Sequence, residues 1–276
     1  MPTMLGPNAR LFVETQRRLT PPKYGLFSAA SLVEGEDHVL AGGVEYFLPI
    51  DPTAVGHTAI ECLGQGEDMG RVIPKGLPAG VGDPFEVYAG ATCDMTGTSE
   101  GEIRQRAIDT LQAGEMQAVE RRIWSDETPA IMAGADTEVV VSTAASLALA
   151  VGRLEHWLYT DYASAGVIHL PRFLGALADS LDLVQADGAL LRTKLGTPVV
   201  FGDYPNTGPD GTAPTAGSVW IAATGDVLVR RTSVDALTDK SQSWFDPATN
   251  NVSGIVVRDY LVTFDEVAGA ALVDLP

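Results

Sequence analysis

The chain of 276 residues carries 36 acidic against 18 basic side chains, a formal net charge of −18, with 45% hydrophobic and 20% charged residues. These proportions exclude wholesale disorder and suit a folded chain of one large or two small domains. The acidic balance argues against sequence-specific nucleic-acid binding, and the absence of any run of about 18 apolar residues argues against a membrane span.

The first 24 residues combine Pro2, Pro7, Pro21 and Pro22 with Arg10, Arg17 and Arg18 around one short helical run, RLFVETQRRL. This pattern predicts an extended basic arm, residues 1–23. From residue 24 to 94 the segments GLFSAASLV, VEYFLPI and PFEVYAGATC read as strands separated by the Gly-rich turns LGQGEDMG and LPAGVGD, with no helix. A helix is predicted over 99–124. Ser99 stands as N-cap with Glu102 three residues on, the spacing of a capping box. Ile103, Ala107, Leu111, Met116, Val119 and Ile123 form its apolar stripe, and Glu102 and Arg106 face solvent. Gly114, in its middle, predicts a bend or a close contact.

A second helix is expected over 142–163, with Leu147, Val151, Leu154, Leu158 and Tyr162 on one face. A short third helix begins at Pro171, whose missing N–H suits a first turn. TPVVFG, SVWIAAT and DVLVRRT read as strands, and strand character continues through VSGIVVRDYLVTFDEVAGAALVDL. No repeat of about 20 to 50 residues is present. The order of elements gives an α+β chain with mainly antiparallel pairing.

Catalytic signatures are missing. GQGEDMG is not a dinucleotide-binding GxGxxG, and GxSxG, Walker A and HExxH motifs do not occur. His38, His57, His156 and His169 lack metal-ligand spacing, and Cys62 and Cys93 read as reduced thiols. His169 reads as structural, in a strand that ends at Pro171. Asp203, Asn206 and Asp210 do not match an EF-hand, so GDYPNTGPDG reads as a surface loop. Trp124, Trp157, Trp220 and Trp244 lie beside apolar positions and read as core or interface anchors. No catalytic, cofactor or metal residue is predicted.

Four blocks resemble tailed-bacteriophage major capsid proteins of the Hong Kong 97 type, particularly those of actinobacteriophages. They are TPPKYGLFSAASLV (20–33), GGVEYFLP (42–49), AGVIHLPRFLGAL (165–177) and LGTPVVFGDYPNTGPDGTAPTAGSVWIAATGDVLVRRTSV (195–234). The resemblance implies an arm at 1–23, an extended loop and peripheral domain at 24–134 with helix 99–124 as its spine, an axial domain at 135–233 and a C-terminal return to the peripheral domain at 234–276. It implies a non-enzymatic subunit that self-assembles as hexamers and pentamers into an icosahedral virion shell around double-stranded DNA, built in the host bacterial cytoplasm. Scaffold, decoration and portal proteins are its expected partners. Arg10, Arg17 and Arg18 are the expected contacts with neighbouring subunits. The 24-residue arm is too short for the scaffolding segment that some relatives remove on maturation. Lys23, Lys75, Lys194 and Lys240 do not fall in a cross-linking pattern, so no covalent cross-link is predicted. An encapsulin-like nanocompartment shell and a small α+β enzyme are the competing expectations.

Overall fold

The computed structural model describes residues 19–34, 42–48, 55, 78–94, 99–132, 137–233, 242–265 and 267–276. In chain order these form the one-turn helix α1 (Leu26–Ala29), β1 (Ser31–Glu34), β2 (Val44–Phe47), β3 (Ala79–Gly82), β4 (Pro84–Asp94) and the long helix α2 (Glu100–Ser125). Next come β5 (Thr137–Ala145), α3 (Leu147–Trp157) with a π-helical extension (Leu158–Tyr162), β6 (Val167–Pro171), and a 3-10 turn (Arg172–Leu174) leading into α4 (Gly175–Ser180). The remainder is β7 (Val184–Asp187), β8 (Leu190–Thr193), β9 (Pro198–Gly202), β10 (Ser218–Thr224), β11 (Val227–Arg231), β12 (Gln242–Asp246), β13 (Asn251–Phe264) and β14 (Ala268–Asp274).

Helix α2 starts as its sequence dictates. The Ser99 Oγ accepts from the Glu102 N–H at 3.3 Å, and the Glu102 carboxylate accepts from the Ser99 N–H at 2.6 Å, so two orphan donors of the first turn are satisfied reciprocally. All six residues of the predicted apolar stripe are buried. The helix runs through Gly114 without interruption, and a Cβ there would meet open space, so the expected close contact is absent.

That stripe packs on a five-stranded sheet in which β13 is the organiser, paired with β4 on one side and with β12 and β11 on the other; β1 extends the β11 edge in parallel. Gly254 on β13 lies directly against Ile103, so the even-numbered residues of β13 face the helix. The opposite face is covered at one end by the antiparallel β2–β3 pair, whose Tyr46 hydroxyl donates to the Phe264 carbonyl at 2.8 Å.

The second sheet has seven strands in the order β5-β14-β10-β6-β9-β8-β7. Its central strands are apolar on both faces because both faces are covered. Val219, Ile221 and Ala223 of β10 pack with α3, whereas Ala222, Val167, Val200 and Ala270 face the core of α2. The sheet is therefore a middle layer between α3 and the C-terminal half of α2.

Three expectations are revised. GLFSAASLV is a helical turn followed by a strand, because the Leu26 side chain is drawn wholly into the core beside α2. The second helix begins at Leu147 and not at 142. Residues 137–145 instead form β5, whose β-branched run Val139, Val140 and Val141 extends alongside β14, and Ser146 caps α3 with its Oγ accepting from the Leu149 N–H at 3.4 Å. The C-terminal segment is divided: β12 and β13 join the first sheet, while β14 crosses into the second between β5 and β10. The mainly antiparallel pairing holds, with β1–β11, β5–β14 and β6–β9 as the parallel pairs.

The two faces of α2 should respond differently to truncation. Leu111 is 2% exposed and Gln112 is exposed, so Leu111→Ala is expected to lower unfolding stability by about 2 to 5 kcal/mol and Gln112→Ala by well under about 1. Urea unfolding of both variants checks this; equal small losses would mean that the stripe is not core.

Candidate functional site

The last turns of α2 carry the groups that join the two sheets. Glu120, 1% exposed, sits in that apolar interface and is satisfied by backbone alone. Its Oε1 accepts from the Leu26 N–H and its Oε2 from the Asp203 N–H, each at 2.8 Å. Two glycines make the room. A Cβ on Gly25 would stand 2.6 Å from Oε1, and one on Gly202 would stand 2.8 Å from the Glu120 Cδ. One turn on, the Trp124 indole N–H donates to the Thr207 carbonyl at 3.0 Å and its ring stacks on Tyr204 at 4.9 Å between centroids. Arg121 pairs with Asp203 at the surface.

A strap of chain before α1 crosses the same joint. The Tyr24 carbonyl accepts from the Phe201 N–H at 2.7 Å, and the Lys23 carbonyl from Arg172 Nη1 at 3.1 Å. Tyr24 holds a left-handed φ of 64°, which is tolerated because the carbonyls on both sides of it are tied to the second sheet.

The second buried carboxylate of α2, Glu115, is handled differently. It is bonded by Arg258 at 2.6 Å, by Arg231 at 3.1 Å and by the Tyr260 hydroxyl at 2.6 Å, which fixes the helix across β11 and β13. Burial, with Glu115 beside it, pushes the Tyr260 phenol above its ordinary range, so it stays a donor at neutral pH. Neither glutamate stood out in the sequence; the signal available was their place at i,i+4 from Leu111 and Met116, inside the apolar stripe.

His169 lies where the sequence placed it, in β6, and is wholly buried on the α2 side of the second sheet. Its Nδ1 is 3.0 Å from the Tyr204 hydroxyl and its Nε2 is 2.9 Å from Thr224 Oγ1. Thr224 Oγ1 donates to the Gly225 carbonyl, so it accepts from Nε2–H, and the Tyr204 hydroxyl donates to a bare Nδ1. The ring is thus a neutral core element.

The other singled-out residues separate. Arg10, Arg17 and Arg18 lie outside the described residues, as do His38, His57 and Cys62. Asp203, Asn206 and Asp210 do not converge: Asp203 pairs with Arg121, the Asn206 amide bonds the β10 backbone at Ser218 and Trp220, and Asp210 accepts from Thr212. No group of three or more potential metal ligands occurs among the described residues. Trp124 and Trp157 are core residues, but Trp244 is 52% exposed. With Tyr88, 69% exposed, and Ile255 between them, Trp244 forms an apolar diagonal across β4, β13 and β12 on the face away from α2. Leu149, Tyr159, Phe173, Leu181 and Leu195 are exposed around the second sheet. β1 is exposed at all four positions.

Two titrations of opposite sign meet at the joint. Burial pushes the His169 pKa down to about 3, while an unfolded histidine titrates near about 6.5. As pH falls below that value the unfolded state takes up a proton that the folded state refuses, so stability falls, by up to about 1.4 kcal/mol per pH unit. Burial raises the Glu120 pKa, so between the ordinary carboxylate value and this raised one acidification favours the folded state. His169→Gln is expected to flatten the loss of stability between about pH 6 and about pH 5. Urea midpoints across that range measure it, and an unchanged pH slope would contradict a buried neutral imidazole.

No protein-family model matches the chain, and no curated protein is significantly similar to it in sequence. Solved structures are similar over nearly its whole length. A chain of Mycobacterium phage Ogopogo is 14% identical, with a TM-score of 0.56 over 95% of this chain and 96% of that one. The capsid of a native GTA particle is 13% identical, with a TM-score of 0.55 over 96% and 95%. The holo-SrpI encapsulin complex from Synechococcus elongatus is 11% identical, with a TM-score of 0.51 over 97% and 91%. At these identities the likeness is one of fold, and by that measure the chain has the Hong Kong 97-type fold of phage major capsid proteins.

Proposed function

We propose that this chain is the major capsid protein of a tailed bacteriophage, a structural subunit without enzymatic activity that self-assembles as hexamers and pentamers into an icosahedral head around double-stranded DNA. The observation that carries this reading is the near full-length likeness, in both directions, to a capsid chain of a GTA particle and to a chain of a mycobacteriophage. The exposed β1 edge and the Tyr88–Ile255–Trp244 diagonal are the surfaces a multimer would cover. A net charge of −18 suits a wall that contains a polyanion without adhering to it.

In this reading residues 24–134 supply the extended loop and the peripheral domain, with α2 as its spine. Residues 135–233 supply the axial domain, and 234–276 return, with β11 and β14 exchanged between the two sheets. Arg10, Arg17 and Arg18 lay a basic arm on an acidic neighbour, easing the repulsion between subunits. Scaffold, portal and decoration proteins are the partners, and the host cytoplasm is the place of assembly. An encapsulin-type shell is the second reading, favoured by the SrpI likeness; the content of the particle, DNA or protein cargo, separates the two.

Negative-stain microscopy and light scattering of the protein, expressed with and without a scaffold, are expected to show closed shells or capsomers. Stable monomers under every condition would overturn the reading. Deleting residues 1–20 is expected to leave circular dichroism nearly unchanged and to impair assembly. A triple Arg→Glu change at Arg10, Arg17 and Arg18 should do the same, with a defect that varies with salt. Normal shells from the deletion would remove the arm from the assembly contacts.

A further inference from the structure

Glu120 is an unusual way to close an interface. Its two oxygens are spent on two backbone donors, Leu26 N–H and Asp203 N–H, that lie 94 and 83 residues away in sequence and belong to separate segments. Leu26 ends the strap, and Asp203 opens the turn that carries Tyr204 and Thr207 to Trp124. The carboxylate is held between Gly25 and Gly202, with the Met116 side chain also against Gly25. A rigid planar group gripped from two sides cannot move away from one donor without shifting from the other. The charged groups around it are Arg172, whose guanidinium is tied to the Lys23 and Phe201 carbonyls, and Asp203, whose side chain is turned to Arg121; the neighbouring buried phenol of Tyr204 is spent on His169.

We propose that the Glu120 carboxylate is a latch coupling the N-terminal strap, residues 22–26, to the turn at residues 202–207, so that the two segments are held or freed together. Its use rests on the capsid reading. In a shell, a pull on the arm by a neighbouring subunit would pass through the strap to Glu120 and on to the second sheet. The coupling itself is a property of the single subunit and exists whether or not shells form. By linkage it is reciprocal: loosening either segment loosens the other by a comparable factor.

The two glycines provide the test. Gly25→Ala presses on the Met116 side chain and on Glu120 Oε1 from the strap side, and Gly202→Ala presses on the Tyr204 ring and on the Glu120 Cδ from the turn side. Hydrogen exchange of unassembled, full-length subunits is read at the Leu26 and Asp203 amides, with Val256 of β13 as the reference for global opening. Gly25→Ala is expected to speed exchange at Asp203 by about tenfold or more, the effect of losing one charge-assisted hydrogen bond. Gly202→Ala is expected to do the same at Leu26, with Val256 unchanged in both. If each substitution speeds exchange only on its own side, or if the Phe201 amide, bonded directly to the Tyr24 carbonyl, speeds up in step with the far amide, there is no latch at Glu120. Should a glycine variant fail to fold, Leu26→Ala, which weakens the strap without reaching the second oxygen of Glu120, is read at Asp203 by the same criterion. Since no shell is needed, a failure here leaves the capsid reading standing, and a failure to assemble leaves the coupling standing.

Discussion

A carboxylate buried in an apolar layer has few ways to be tolerated, and the two on α2 use different ones. Glu120 gives each oxygen to a backbone N–H, at 2.8 Å in both cases, and so recruits the strap and the turn after β9. No cation is spent on it directly. The arrangement depends on missing side chains, because a Cβ at Gly25 would stand 2.6 Å from Oε1 and one at Gly202 2.8 Å from Cδ, too close for either to be accommodated unmoved. Around it the Trp124–Tyr204 stack, the Tyr204–His169 bond and the His169–Thr224 bond continue in one line from α2 to the middle of the second sheet. Each polar group in that line finds its partner inside the protein, which lets it lie in a wholly buried layer.

Glu115 works against charge. Arg258 is as deeply buried as Glu115 itself, at 6% against 8% side-chain exposure, and Arg231, at 23%, reaches in from the margin with its guanidinium over the Phe27 ring. Removing one member would leave a buried charge without compensation, at a cost of about 3 to 5 kcal/mol, although replacing the whole set with apolar residues need not destabilise. The pair therefore fixes the rotation of α2 on the sheet more than it adds to net stability. Held by Glu115 at its middle and Glu120 near its end, the helix is registered to one sheet and then to the other.

Much of this architecture was legible because local rules and tertiary structure agree. The capping box at Ser99 and Glu102 placed the start of α2 to the residue, and TPVVFG, SVWIAAT and DVLVRRT gave β9, β10 and β11. The failures share a cause. Residues 137–145 look like the approach to a helix until β14 is supplied from more than a hundred residues downstream, and Leu26 looks like part of a strand until the core under α2 draws it in. The joint was not legible at all. Glu115 and Glu120 resemble solvated charges among the chain's 36 acidic residues, and only the fold brings Gly25, Gly202 and Arg258 to them.

The position of β14 has a consequence for how the molecule is made. The strand that comes last in sequence is interior in space, hydrogen-bonded to β5 on one side and β10 on the other. β5 lacks this partner until residues 268–274 have been made and folded back onto it. Pairing of such distant segments in parallel is among the slower steps a chain can take. The second sheet is therefore closed by a pairing of two segments more than a hundred residues apart, and the cover that α3 lays on it can be completed only after that late step.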